Sequence, residues 1–184
     1  RTQIIDCDIC VSTKCQIGLP ETTPFLNTFE NCTLVAENHP TNTSDGSFHS
    51  VGVHTRNKYG TTTMTITMNL KNCIISAEEP VANDYGGGTF PLNMQNYTCF
   101  HDQGGVNPAN PLPTSGTGNI TALPLFVDTS AKDFHLQAGS PCRDTGDPAS
   151  PLDPDGSRAD MGAFAFGSGG PVGGPGEVNW TPSG

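Results

Sequence analysis

Three short stretches of the chain repeat one another: "IIDCDICV" around Cys7, "FENCTLVA" around Cys32 and "LKNCIISA" around Cys73. Each sets Asp or Asn before a cysteine and then alternates, so Cys7, Ile9 and Val11 fall level with Cys32, Leu34 and Ala36, and with Cys73, Ile75 and Ala77. Side chains two apart share a face of a strand. These residues therefore make one apolar face, and Asp8, Thr33, Val35 and Ser76 lie on the other, mostly polar one. "MQNYTCF" reads as a fourth, degenerate copy, with Asn96 at the Asn position and Tyr97 where the cysteine was. The Asp/Asn positions 6, 31, 72 and 96 are 25, 41 and 24 residues apart. A step of 24 or 25 suits one solenoid coil of three short strands and three turns, and such a period constrains the fold more than any local propensity does. The longer step is one coil with an insertion, "ENHPTNTSDG", ahead of two runs of strand character, "SFHSVGVHT" and "TTTMTITMNL".

Stacked coils place like residues above one another. The Asn row is then expected to bond its side-chain amides from coil to coil, and the cysteine row to pack inside as small apolar groups. Composition agrees with a turn-rich β protein with almost no helix: 14% charged residues, 22 Gly and 16 Pro. At 184 residues the chain suits one domain and a tail. A net charge of -10, with eight Lys and Arg, repels a phosphate backbone and argues against nucleic acid as a partner. No apolar run reaches the roughly 20 residues that span a bilayer as a helix. Seven cysteines cannot all pair within one chain. "CDICVSTKC" has one CxxC and no second half, which argues against zinc.

The stretch "GNITALPLFVDTSAKDFHLQAGSPCRDTGDPASPLDPDGSRADMGAFAF" is more specific. With the repeated Asn-Cys turn, it resembles the right-handed parallel β-helix family of secreted polysaccharide lyases, glycoside hydrolases and bacterial surface proteins, over roughly residues 1–166. The resemblance implies an all-β fold, a right-handed parallel β-helix with an irregular C-terminal closing segment. Residues 1–120 would form the coils. Residues 121–166 would cover the open end, with Phe126, Phe134, Leu136, Met161, Phe164 and Phe166 as apolar cover. The Gly/Pro-rich residues 167–184 read as a linker or tail. Because residue 1 enters a coil already under way, a fragment of a longer β-helix is expected. The resemblance also implies a secreted or cell-surface location of bacterial type.

Two places carry candidate chemistry. In "SFHSVGVHTRNKYG", inward Val51 and Val53 leave Ser50, Gly52, His54 and Arg56 facing outward, with Lys58 and Tyr59 on the loop beyond. His54, Arg56, Lys58 and Tyr59 together suit an acidic sugar; a solvated strand end is the plainer alternative. His101 and Asp102 form a second pair beside a glycine turn, and His135 reads as structural. In "DPDGSRAD", Asp153, Asp155 and Asp160 offer the oxygen ligands a hard cation such as Ca²⁺ takes. The same letters also spell a turn, in which the aspartates are held by backbone N–H groups and by Arg143 or Arg158; nothing there requires a metal. The functions expected are an extracellular β-helix module with a structural or carbohydrate-contacting role, part of a larger surface protein or fibre, meeting a polysaccharide or cell-surface glycan or another copy through the solenoid ends. The alternative is a polysaccharide lyase, glycoside hydrolase or epimerase acting on acidic glycans. No catalytic motif is recognisable in the coil region.

Overall fold

The computed structural model describes residues 2–7, 9–15, 25–36, 50–57, 66–85, 94–104 and 116–168. These contain strands and no helix, so the protein is all-β. The strands are β1 (Thr2–Cys7), β2 (Ile9–Cys15), β3 (Phe25–Glu30), β4 (Cys32–Ala36), β5 (Val51–Asn57), β6 (Ile66–Lys71), β7 (Ile74–Ala77), β8 (Glu79–Tyr85), β9 (Met94–Asn96), β10 (Cys99–Asp102), β11 (Ile120–Thr121), β12 (Phe126–Asp128) and β13 (Asp133–Leu136). Strands β1, β4, β7, β10 and β11 form one sheet, β2, β5 and β8 a second, and β3, β6 and β9 a third. Every pairing in these three sheets is parallel. Through β10 each strand pairs with the one three places along, so three sheets grow side by side as the chain winds.

A recurring corner ends β3, β6 and β9. Asn31, Asn72 and Tyr97 have φ of 52°, 50° and 52°, and Gly118 has φ of 70°. Asn tolerates this left-handed conformation better than most residues and glycine adopts it freely. The corner amides repeat one bond: Asn31 N–H donates to Lys71 O (3.0 Å), Asn72 N–H to Asn96 O (3.4 Å) and Tyr97 N–H to Thr117 O (2.8 Å). Asn72 Nδ2 also donates to Asn31 Oδ1 at 3.2 Å, the amide ladder expected from the sequence. The position after the corner closes on the carbonyl before it. Cys32 Sγ donates to Glu30 O, Cys73 Sγ to Lys71 O and Thr98 Oγ1 to Asn96 O, each at 3.3 Å.

Two parts of the repeat are corrected. Tyr97, not Asn96, occupies the Asn position, and Thr98 stands in the cysteine row, because Cys99 pairs with Ile74 rather than with Cys73. The first copy is also displaced: Thr2 lies level with Cys32 and Cys7 with Ala36, across an irregularity between Ile5 and Cys7. Asp6 is therefore outside the Asn row. A shared cysteine drew the alignment, whereas the register follows where the strand begins.

Leu34, Ile75 and Phe100 occupy one level of the first sheet and pack with Val53, Leu70 and Val81 from the other two sheets, with Phe29 beside them. All six are buried, and burying such side chains contributes about 1.5–3 kcal/mol each. The opposite face of the first sheet is also covered. Val35, Ile74 and Cys99 pack against Phe126, Phe134, Leu136, Cys142 and Met161. Phe126 and Phe134 meet edge to face at 5.2 Å.

The C-terminal segment is thus laid across the outer face of the five-stranded sheet, a correction of the expected cover over the open end. Its antiparallel hairpin, β12 and β13, brings Phe126, Phe134 and Leu136 to that face, and the chain then reaches back as far as β4, where Ala163 N–H donates to Thr33 Oγ1 at 2.9 Å. Gly162 passes so close there, with φ of 99°, that a Cβ would strike Ile74 and Thr33. Asn72 joins the two parts. Its Oδ1 accepts from Asp147 N–H (2.6 Å), its Nδ2 donates to Ser150 Oγ (3.0 Å) and its carbonyl accepts from Gly162 N–H (2.8 Å).

Candidate functional site

The second sheet carries the basic candidates. Its register sets Ser12, His54 and Ala82 at one level and Lys14, Arg56 and Asp84 two residues further on. Neighbouring strands lie about 4.8 Å apart, so Lys14 and Asp84 flank Arg56 on either side. Neither was singled out from the sequence, since only strand pairing brings residues so far apart in the chain together. Lys58 and Tyr59 lie outside the described residues. Ser50, expected on the outward face, is buried instead. It closes a corner: its amide donates to Glu78 Oε2 and its Oγ accepts from Glu78 N–H, both at 3.0 Å.

A second polar group lies on the outer face of the first sheet, where Val35, Ser76 and His101 share a level. Gln103 Nε2 donates to Ser76 Oγ at 2.9 Å, and Ser76 Oγ and His101 Nδ1 share a hydrogen bond at 2.8 Å. Burial lowers the His101 pKa from its ordinary 6.5, against a smaller opposing pull from Asp102. A hydroxyl hydrogen-bonded to an imidazole is the pairing a nucleophile and base use, but Ser76 is only 3% exposed. The contacts satisfy a buried hydroxyl.

In the C-terminal segment the aspartates hold backbone. Asp160 Oδ1 accepts from Asp144 N–H and Oδ2 from Phe166 N–H, both at 2.6 Å, while Asp153 Oδ2 accepts from Asp160 N–H at 2.7 Å. Asp153 and Asp160 are buried. Burial pushes the Asp160 carboxyl above its ordinary value, against the two backbone bonds, and the charges of Asp153 and Asp144 push the same way as burial. Asp155 is exposed and accepts from Ser157 N–H at 2.9 Å. Arg158 serves carbonyls rather than aspartates, donating to Gly146 O (2.6 Å) and Thr145 O (3.3 Å). Arg143 lies over the Phe166 ring at 3.7 Å and keeps a 3.9 Å approach to Asp144. His135 bonds Asp133 at 2.6 Å and stacks on Phe164 at 4.2 Å. Among the described residues no three His, Cys, Asp or Glu side chains are gathered as a metal site.

Compared with protein-family models, with curated proteins and with solved structures, the chain finds no match among any of them. Function must therefore be argued from the arrangement itself. The arrangement offers Lys14, Arg56 and Asp84 in register on adjacent strands, with His54 two residues before Arg56, and a C-terminal segment whose polar groups are largely spent on backbone.

Proposed function

We propose that the chain is part of a right-handed parallel β-helix displayed outside the cell, with a structural or carbohydrate-contacting role. The observation that carries this reading is the strand order, in which three parallel sheets each take every third strand through β10. Parallel connections within one sheet are right-handed in about 98% of cases, which supports the handedness. The repeated corner at Asn31, Asn72, Tyr97 and Gly118 supports stacked coils of unequal length. Strands repeated in register suit a long polymer, because the polymer's own repeat can meet similar groups in succession.

The sheet of β2, β5 and β8 favours an acidic glycan. Lys14 and Arg56 lie side by side in register, and like charges at that spacing repel unless an anion intervenes. Asp84 offsets part of the repulsion from the next strand, and a uronate carboxylate would supply the rest. An enzyme of this fold needs two or three carboxylates converging beside such a basic group. Asp84 alone stands at the Arg56 level of the described strands, so binding is the better-supported reading.

The test is titration of the full chain with a polyuronate and with a neutral glucan at two ionic strengths. Saturable, salt-sensitive binding of the polyuronate, weakened about tenfold or more in Arg56→Ala, one charged contact's worth, is expected. Equal indifference to both polymers would remove the glycan contact. Release of unsaturated uronate products would move the reading to the lyase.

A further inference from the structure

We infer that Asp84 makes the basic row selective for an acidic glycan whose carboxylates are separated by uncharged sugars, a selectivity that rests on the carbohydrate-contacting role already proposed. The row crosses three strands. Lys14 in β2 is level with Arg56 in β5, and Arg56 with Asp84 in β8. Two cations and then one anion therefore follow one another at the strand spacing of about 4.8 Å. The neighbouring levels, Thr13, Thr55 and Asn83 before and Cys15, Asn57 and Tyr85 after, carry no charge at neutral pH. Within the described strands of this sheet, nothing at those levels cancels the change of sign at Asp84.

A glycan lying across these strands advances by about one sugar per strand, and the two ends of the row make opposite demands on it. A uronate carboxylate set between Lys14 and Arg56 relieves the repulsion of like charges level on neighbouring strands. It also gives the guanidinium the planar partner that its paired donors fit. The next sugar falls at Asp84. A second carboxylate there meets a like charge and is disfavoured. An uncharged sugar brings hydroxyls instead, and an ionised carboxylate, being acceptor-only, takes their hydrogen bonds. The chain's net charge of -10 works in the same direction, because it repels a polymer that carries a carboxylate on every sugar more strongly than one that carries fewer.

The full chain is titrated with fully ionised polygalacturonate and with the same polymer half of whose carboxylates are methyl-esterified, so that the backbone is common to both. Attraction to Lys14 and Arg56 alone would favour the polymer with more charges. Expected is the reverse, tighter binding of the half-esterified polymer by about two- to fivefold, the range of one exposed charge contact. Asp84→Asn should strengthen binding of the fully ionised polymer by a similar factor and remove the preference. Equal or tighter binding of the fully ionised polymer by the wild type, or a preference unchanged in Asp84→Asn, overturns the inference and leaves the glycan contact standing. Binding of neither polymer overturns both. The comparison on the wild type decides the question even where the variant does not fold.

Discussion

In the parallel sheets, backbone amides at the corners find backbone partners, as Asn31 does at Lys71 O and Tyr97 at Thr117 O. Beyond Ala122, many find a side chain instead: Asp144 and Phe166 donate to Asp160, Asp160 to Asp153, and Ser130 and Ala131 to Asp128. The first arrangement is repetitive, and each bond has a near-equivalent at the next corner. The second is singular, because each aspartate holds its own particular amides, two at Asp160 and at Asp128, and no repeat duplicates them. A periodic stack therefore tolerates the exchange of Cys for Thr at position 98, which keeps the same 3.3 Å bond, whereas the irregular segment has no comparable spare part.

Asn72 belongs to both arrangements, and its replacement is expected to have the largest effect. It is fully buried, and Asn72→Ala removes its bonds to Asn31, Ser150 and Asp147. Each buried group left unpaired costs about 1–3 kcal/mol, and a left-handed alanine adds about 1 kcal/mol. A loss of about 4 kcal/mol in denaturant unfolding is expected on these grounds. Asn72→Gly should recover only the conformational part. Were glycine to restore wild-type stability, the side chain's role as the link between the two regions would have to be abandoned.

Asp160→Ala tests the singular region by itself. It strands the amides of Asp144 and Phe166, and hydrogen bonds to a charged group contribute about 1.5–3 kcal/mol each. An overall loss of about 3 kcal/mol is expected, within that range. Limited proteolysis should then cut within residues 121–168 before it cuts the stacked strands. Simultaneous cutting of both would show that the regions unfold as one unit and that the contrast between them is one of bonding alone.

How much of this was legible in the sequence follows the same division. The Asn31 to Asn72 ladder and the inward row of Leu34 and Ile75 could be read, because a period of two and a recurring Asn-Cys turn are local patterns. The level of Cys7 could not, since an irregularity inside β1 shifts the register without changing the letters around it. Tyr97 reads from the sequence as standing in the cysteine row, because a bulky residue at φ of 52° is uncommon and the adjacent Asn96 is the commoner corner residue. The apolar residues of the C-terminal segment were identified, yet not the surface they cover. That surface is Val35, Ile74 and Cys99, assembled from three strands that only stacking brings together. Lys14 and Asp84 beside Arg56 were missed for the same reason.

The smallest effect expected is a pH dependence centred on His101, at the end of the stacked region where the face carrying Val35 turns polar. The unfolded chain takes up a proton at His101 as pH falls below about 6.5. The folded protein takes it up only at lower pH, because burial disfavours the imidazolium and Asp102 compensates only in part. The unfolded state then binds more protons in that window, so this contribution to stability is complete above about 6.5 and is lost as pH falls through the window towards the folded value. The ring is only partly buried, and solvent screening keeps the slope shallow. His101→Gln should abolish the slope. Titration of the imidazole C–H resonance by NMR reads this directly. A wild-type His101 titrating at or above 6.5 would mean that the pull of Asp102 outweighs burial, and the pH dependence would have to be abandoned.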